Sequence, residues 1–418
     1  MIVENEISIY DFVSAISEAI DLVSSTLNNH HKRVTYIAYN IALEMNLQNN
    51  EIQDIVLAAM LHDVGAFSIE ERIKIQSIVS NDHNLNLHAL YGYKLLKKFE
   101  PLAKAADLIR YHHTDFDESN PDIPMGSYII YLADRSSLLF DEHSEILAQV
   151  PEVFDKISQI KHRFHPDTLA AFSRLVKLEY VWLETFSSSF STAMMKRMRF
   201  SREVIDLETL LSFAKIIAQI IDFRSKFTAT HSSGVAAVAL ELTALSGFSE
   251  RECKEMEIAG YLHDLGKLAV SNDILEKNLT LDTEEFNSIR KHPYYTYFVL
   301  NKVRGLENIA TWAAYHHERP NGNGYPFHIK GKHFSKLARI MAVADIVTAL
   351  TEDRPYRLGI NKESVEKILL SMVENGGIDK DIVDLVNENF DRINDVRIKT
   401  QQEAQREYAA FYELSDVM

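Results

Sequence analysis

The chain has 418 residues and a formal net charge of −16. That length fits two or three domains, and that charge excludes a general nucleic-acid-binding surface, which would be basic. Hydrophobic residues make up 46% and charged residues 25%, the balance of a chain with a buried core. Cys253 is the single cysteine, so an internal disulfide and a cysteine-rich zinc module are excluded, and a reducing compartment is expected.

The start, Met1 to Glu6, is acidic and lacks a signal pattern. Val34, Ile37, Ala38, Ile41 and Met45 recur at i, i+3, i+4 spacing and predict an amphipathic helix. A polar run from Ser187 to Thr192 marks a boundary, and 203–222 reads as a second amphipathic helix. That helix is open to two uses, dimerisation or packing within the chain. Val235, Val238, Ala239, Leu242 and Leu245 predict a third helix. The longest apolar run, Leu337 to Leu350, contains Arg339 and Asp345. It is too short and too polar to cross a bilayer. The reading is an all-α protein, cytoplasmic, with no membrane contact. Its domains are expected at 1–186 and 222–418, joined by a connecting segment over 187–221.

The chain repeats itself. Moving 201 residues along takes His30 to His231 and Leu61-His62-Asp63-Val64-Gly65 to Leu262-His263-Asp264-Leu265-Gly266. A shift of 204 takes His88 to His292 and Tyr111-His112-His113 to Tyr315-His316-His317. A shift of 211 takes Ala133-Asp134 to Ala344-Asp345. The seven residues gained between the last two shifts coincide with the loop Gly322-Asn323-Gly324-Tyr325-Pro326, which the first copy lacks.

In the second copy, His231, His263, Asp264, His292, His316, His317 and Asp345 combine imidazole with carboxylate, a donor set for Fe, Mn or Zn. Each alone has a plainer reading: His292, before Pro293, fits a helix cap, and His316-His317 fits a helix end. Seven such residues in order exceed what one transition metal accepts. They suit two metals within a helical bundle. Two metals acidify a water to give hydroxide for attack on a phosphodiester, and they stabilise charge on its oxygens. Protons compete for the imidazoles, so activity is expected to fall at acid pH.

His263-Asp264 with Gly266-Lys267, His316-His317-Glu318 leading into Gly324-Tyr325-Pro326, and Arg354-Pro355-Tyr356-Arg357 resemble the HD-GYP branch of the HD phosphohydrolases. The resemblance covers roughly residues 222–395. It implies a helical domain that hydrolyses cyclic dinucleotides, chiefly cyclic di-GMP, at a two-metal centre. Iron or manganese is expected there, with zinc, nickel or cobalt as substitutes in preparations. The seven residues above match the family's ligands, with Asp264 the bridging carboxylate. Lys267 matches the lysine that touches the scissile phosphate. Asp264 and Lys267 are therefore the expected catalytic pair, and Lys267, Arg354, Arg357 and Tyr325 the expected substrate contacts. Tyr325 reads more readily as an anchor for its loop than as a stacking partner for a base, and Arg354 and Arg357 read equally as part of a salt-bridged surface loop. Glu318 reads as a partner that orients a ligand histidine. Members with a third metal carry a glutamate where this chain has Phe227, so two metals are expected. Asn321 stands where many members have aspartate, and an amide also supports a glycine turn.

The first copy keeps His30, His62, Asp63, His88, His112, His113 and Asp134, with His31 beside the first ligand position. Ala66 replaces the lysine and Thr114 the glutamate. Three readings stand: a structural metal site, a regulatory nucleotide or redox site, or a second hydrolase. A receiver-type segment does not precede the repeat, so sensing is expected from this copy or from a partner. Two alternatives to the cyclic di-GMP reading also stand. One is a phosphodiesterase that prefers 3′,3′-cyclic GMP-AMP. The other is a catalytically weak receptor or scaffold that docks other signalling proteins, and a homodimer is compatible with either.

Overall fold

A computed structural model of the chain describes residues 7–22, 29–67, 85–187, 204–224, 229–277, 280–353 and 358–413. These are helical almost throughout. The exception is one antiparallel pairing of two-residue strands, β1 (Ile7–Ser8) with β2 (Val204–Ile205), in the register Ile7 opposite Ile205.

The described residues divide into two compact units, 16–187 and 204–413, with 7–15 belonging to the second. The sequence reading gave those first residues to the N-terminal domain. They go instead with the C-terminal unit because β1 pairs with β2 and the Phe12 ring meets Phe213 edge-on at 5.2 Å.

After α1 (Ile9–Asp21), the N-terminal unit contains α2 (His30–Glu44), α3 (Asn49–Leu61), α4 (Leu85–Leu96), α5 (Ala103–Arg110) and α6 (Met125–Ser137). It closes with α7 (Ile146–Gln159), α8 (Pro166–Leu175) and α9 (Glu179–Thr185). Its core lies where α2 packs on α3, α6 and α8. From Gly126 to Ser137, α6 is buried on every side, which is why its sequence shows no polar face.

The C-terminal unit opens with α10 (Leu207–Asp222), α11 (His231–Leu245), α12 (Glu250–Leu262), α13 (Asn272–Leu275) and α14 (Thr283–Arg290). It continues through α15 (His292–Leu300), α16 (Glu307–Ala314), α17 (Lys336–Thr351), α18 (Lys362–Glu374), α19 (Lys380–Glu388) and α20 (Phe390–Glu413). Here α11 is central and packs on α12, α17 and α20. The apolar residues of α10, Leu210, Phe213, Ala214, Ile217 and Ile221 among them, are buried within this unit against α12. Of the segment read as a connector, residues 204–221 are thus part of the C-terminal unit, and 188–203 lie outside the described residues.

The sequence repeat is also a repeat of elements. Helices α2, α3, α4, α5 and α6 recur in order as α11, α12, α15, α16 and α17. Helix starts agree as well. The Ser249 N–H donates to Glu252 at 2.9 Å in a capping box that opens α12. The Gln48 N–H donates to Glu51 at 2.9 Å at the start of α3. Close contact between α11 and α12 depends on Gly260, where a Cβ would lie 2.5 Å from the Ala236 Cα. Among the described residues no helix is long and apolar enough to cross a membrane.

Candidate metal centre

In the C-terminal unit the seven expected ligand residues come from five elements. His231 opens α11, His263-Asp264 follow α12, His292 opens α15, His316-His317 follow α16, and Asp345 lies within α17. They converge on one point. Asp264 Oδ2 lies 3.2 Å from His263 Nε2, and its Oδ1 lies 3.3 Å from His292 Nε2 and 3.9 Å from His316 Nε2. Asp345 lies 3.3 Å from His231 Nε2 and 3.9 Å from His317 Nδ1. His317 and Asp345, with 30% and 14% of their side chains exposed, form the open side of an otherwise buried cluster.

Three rings are oriented by one device. His263, His292 and His316 each donate Nδ1–H to the backbone carbonyl three residues earlier, at Gly260 (2.7 Å), Ile289 (2.7 Å) and Ala313 (2.6 Å). Each Nε2 is then left with its lone pair facing the cluster. His292 Nε2 and His316 Nε2 stand 3.0 Å apart. Two lone pairs at that distance repel unless a cation lies between them, so the donor set fits a metal. Burial pushes the His292 imidazole down to about 3 and His316 to about 4, which keeps both neutral. Burial opposes the charge on Asp264, but His263 and Lys267 outweigh it and hold the carboxyl well below its ordinary range. At His231 burial is outweighed by Glu352 and Asp345, which raise the imidazole to about 10.

Lys267 places Nζ 2.6 Å from Asp264 Oδ2 and leaves a fifth of its side chain exposed. The short turn that brings it there needs Gly266, where a Cβ would lie 1.9 Å from the His292 carbonyl oxygen. Thr296 locks the same turn: its Oγ1 accepts from Gly266 N at 2.9 Å and donates to the His263 carbonyl at 3.0 Å.

The Gly-Tyr-Pro loop lies over this cluster. Gly322 has φ 79°, and a Cβ on Gly324 would lie 2.4 Å from the Glu318 Cα. Asn321 supports the turn, as an amide should: its Oδ1 accepts from Asn323 N at 2.9 Å and its Nδ2 donates to the Asn375 carbonyl at 2.9 Å. The Tyr325 ring sits 4.8 Å from His317, with the Arg290 guanidinium 5.1 Å from its centre. Arg354, Arg357 and Phe227 lie outside the described residues.

Glu318 does not orient a histidine. Its carboxylate accepts from the backbone N–H groups of Phe327 (2.6 Å), His328 (3.1 Å) and Ile329 (3.0 Å), and so fixes the exit of the loop. The partner of a ligand-type histidine is Glu352, which the sequence reading missed. Both its oxygens lie 3.1 Å from His231 Nδ1, and Gln401 of α20 donates to it at 3.1 Å. It is the residue that ends α17, seven positions after Asp345, with its backbone already extended, and a carboxylate at that place was the available signal. Asp222 was also missed: it accepts from Ser232 N at 3.1 Å and Oγ at 2.9 Å, holding the start of α11.

The N-terminal unit assembles its own cluster. Asp63 lies 3.4 Å from His62 Nε2 and 3.2 Å from His88 Nε2, and Asp134 lies 3.2 Å from His30 Nε2. His112 and His113 complete it. His31 donates Nδ1–H to Asp21 at 2.5 Å, and its buried Nε2, without a hydrogen-bond partner, is left on the same cluster beside His62 and Asp63.

Two bundles with paired His/Asp clusters define a tandem HD protein. The HD domain family matches residues 28–139 and again 215–382. The chain is 30% identical over 389 residues to 3′3′-cGAMP-specific phosphodiesterase 1 of Vibrio cholerae, covering 90% of each chain. It is 35% identical over 158 residues to a cyclic di-GMP phosphodiesterase of Pseudomonas aeruginosa, covering 38% of each. A crystal structure of a cyclic GMP-AMP specific phosphodiesterase of V. cholerae shares the fold, with a TM-score of 0.65 at 21% identity over 92% of this chain and 98% of that one. The chain belongs to the HD-GYP branch of the HD phosphohydrolases and is a cyclic dinucleotide phosphodiesterase.

The three bonds to Glu318 give a test of its reassigned role. In Glu318→Ala, amide hydrogen exchange at Phe327, His328 and Ile329 should speed up about 10-fold or more, since each bond to a charged acceptor contributes roughly 1.5–3 kcal/mol. Exchange within α12 should stay unchanged.

Proposed function

We propose that the C-terminal cluster hydrolyses 3′,3′-cyclic GMP-AMP in preference to cyclic di-GMP. This reverses the order of the two substrates read from the sequence. The observation that carries the reversal is coverage. A relative specific for 3′3′-cGAMP aligns across both halves of the chain, whereas the cyclic di-GMP phosphodiesterase of P. aeruginosa aligns over 38% of it.

On this reading His231, His263, Asp264 and Asp345 would hold one divalent ion, and Asp264, His292, His316 and His317 would hold a second, with iron or manganese expected. When bound, such ions supply Lewis acidity and lower the pKa of a water nucleophile. The chain's own residues do the rest. Asp264 presents an oxygen to each half of the cluster. The carbonyl-fixed rings hold their lone pairs inward without reorganisation. Lys267 stays charged, because Asp264 outweighs the cost of its burial, and its partly exposed ammonium is placed to neutralise a phosphoryl oxygen. Tyr325, over His317, borders the open side where a base or ribose would lie. Arg354 and Arg357 remain proposed contacts on their chemistry, as cations suited to phosphate or guanine edges.

The N-terminal unit lacks a counterpart of Lys267, since Ala66 stands there and is buried. We therefore assign it a structural or regulatory role.

Two measurements bear on this. With metal-loaded protein and both dinucleotides in one reaction, kcat/KM should be higher for 3′,3′-cyclic GMP-AMP by about 10-fold or more, the difference that about 1.4 kcal/mol confers. Equal rates or a preference for cyclic di-GMP would reject the substrate choice and leave the hydrolase itself standing. Lys267→Ala should lower kcat by about 10²–10³-fold, as removal of one charge-stabilising donor does, with metal content unchanged. Loss of metal in that variant would make Lys267 structural.

A further inference from the structure

One buried cation of the first cluster has no counterpart in the second. In the shift that takes Asp134 to Asp345, Arg135 falls on Ile346. Arg135 is buried in α6 and places Nη2 3.1 Å from His113 Nδ1. A guanidinium donates and never accepts, so His113 Nδ1 is the acceptor. Its ring proton then sits on Nε2. That Nε2 lies 3.1 Å from His88 Nε2 and donates to it. His113 therefore has no lone pair to offer the cluster, and the lone pair of His88 Nε2 is engaged, which leaves at this position only His112 Nε2, 3.3 Å from His88 Nε2, with its lone pair inward. The corresponding nitrogen in the second unit, His317 Nδ1, faces Asp345 at 3.9 Å.

The opposite corner of the same cluster is unlike this. His62 donates Nδ1–H to the Ala59 carbonyl at 2.9 Å, which leaves its Nε2 lone pair facing inward with no hydrogen-bond partner. Neither oxygen of the buried Asp134 has a hydrogen-bond partner, although His30 Nε2 comes within 3.2 Å of Oδ1 and Arg135 Nε within 3.8 Å of Oδ2. Buried carboxylate oxygens and an imidazole lone pair left in this way call for a cation.

We propose that the N-terminal cluster is mononuclear. One divalent ion is held by His30, His62, Asp63 and Asp134. Arg135 closes the second position by drawing His113 and His88 into a hydrogen-bonded chain, and it supplies there positive charge that a second ion would otherwise bring. The two halves then keep the same ligand residues and hold different numbers of ions. The chemistry that needs paired ions is confined to the C-terminal half by Arg135 as well as by Ala66.

The test is metal occupancy of the whole chain, read by position. Crystals of the full-length protein loaded with manganese should show one anomalous peak in the N-terminal cluster, beside His30, His62 and Asp134. Two peaks there, or none, would overturn the proposal, whatever the C-terminal cluster holds. Arg135→Ile should raise bound manganese by one ion per chain, with the added peak beside His88, His112 and His113. A folded variant with unchanged manganese content would overturn it as well. The wild-type peaks decide the matter if that variant does not fold.

Discussion

A buried carboxylate that must be surrounded by positive charge organises this protein. Asp264 is fully enclosed, yet its oxygens are approached by three imidazole nitrogens and one ammonium within 3.9 Å. An isolated carboxylate in such a place would cost several kcal/mol. The surrounding helices can be understood as the means of delivering compensation. Chain turns at the ends of α12 and α16 and at the start of α15 place imidazoles at it, and backbone carbonyls fix which nitrogen each ring presents. Gly266 and Thr296 are needed because the segment that carries both Asp264 and Lys267 runs against the start of α15.

The same construction occurs twice, and the differences carry the functional meaning. Gly65 repeats the constraint seen at Gly266: a Cβ there would lie 2.2 Å from the His88 carbonyl oxygen. His62 and His112 repeat the carbonyl bonds of His263 and His316. Among its described residues the first unit has Ala66, and no cation, in the place of Lys267. What it has instead is Arg135, a cation turned inward onto His113. A cluster of metal-ligand residue types has thus been kept where Ala66 stands in place of the lysine and the Gly-Tyr-Pro loop is absent from the sequence.

Much of this was legible in the sequence. The offset repeats placed all seven ligand-type residues of each half, because helix ends that feed a common point keep their spacing when loops change length. The helical character of α2 and α11 followed from periodicity. Other parts were hidden for physical reasons. Glu352 lies 121 residues from His231, and only the approach of α17 to α11 shows the contact. Glu318 follows two ligand-type histidines and was read as their partner, but backbone N–H groups of Phe327 to Ile329 claim its oxygens. The first residues were assigned with their sequence neighbours, while a two-residue strand pairing takes them to the other unit. Arg135 carried no reading from the sequence, since burial of α6 on all sides cannot be read from one charged position.

The central claim is that hydrolysis belongs to the cluster around Asp264 and not to the one around Asp63. The most direct measurement is single-turnover hydrolysis of 3′,3′-cyclic GMP-AMP by two metal-loaded full-length variants, Asp264→Asn and Asp63→Asn, each confirmed to be folded. Asp264→Asn should lose about 10³-fold or more, as loss of an essential charged group does, while Asp63→Asn should stay within about threefold of the parent, as a substitution outside the reacting groups does. A folded Asp63→Asn as impaired as Asp264→Asn, or an Asp264→Asn that retains the parent rate, would contradict the account.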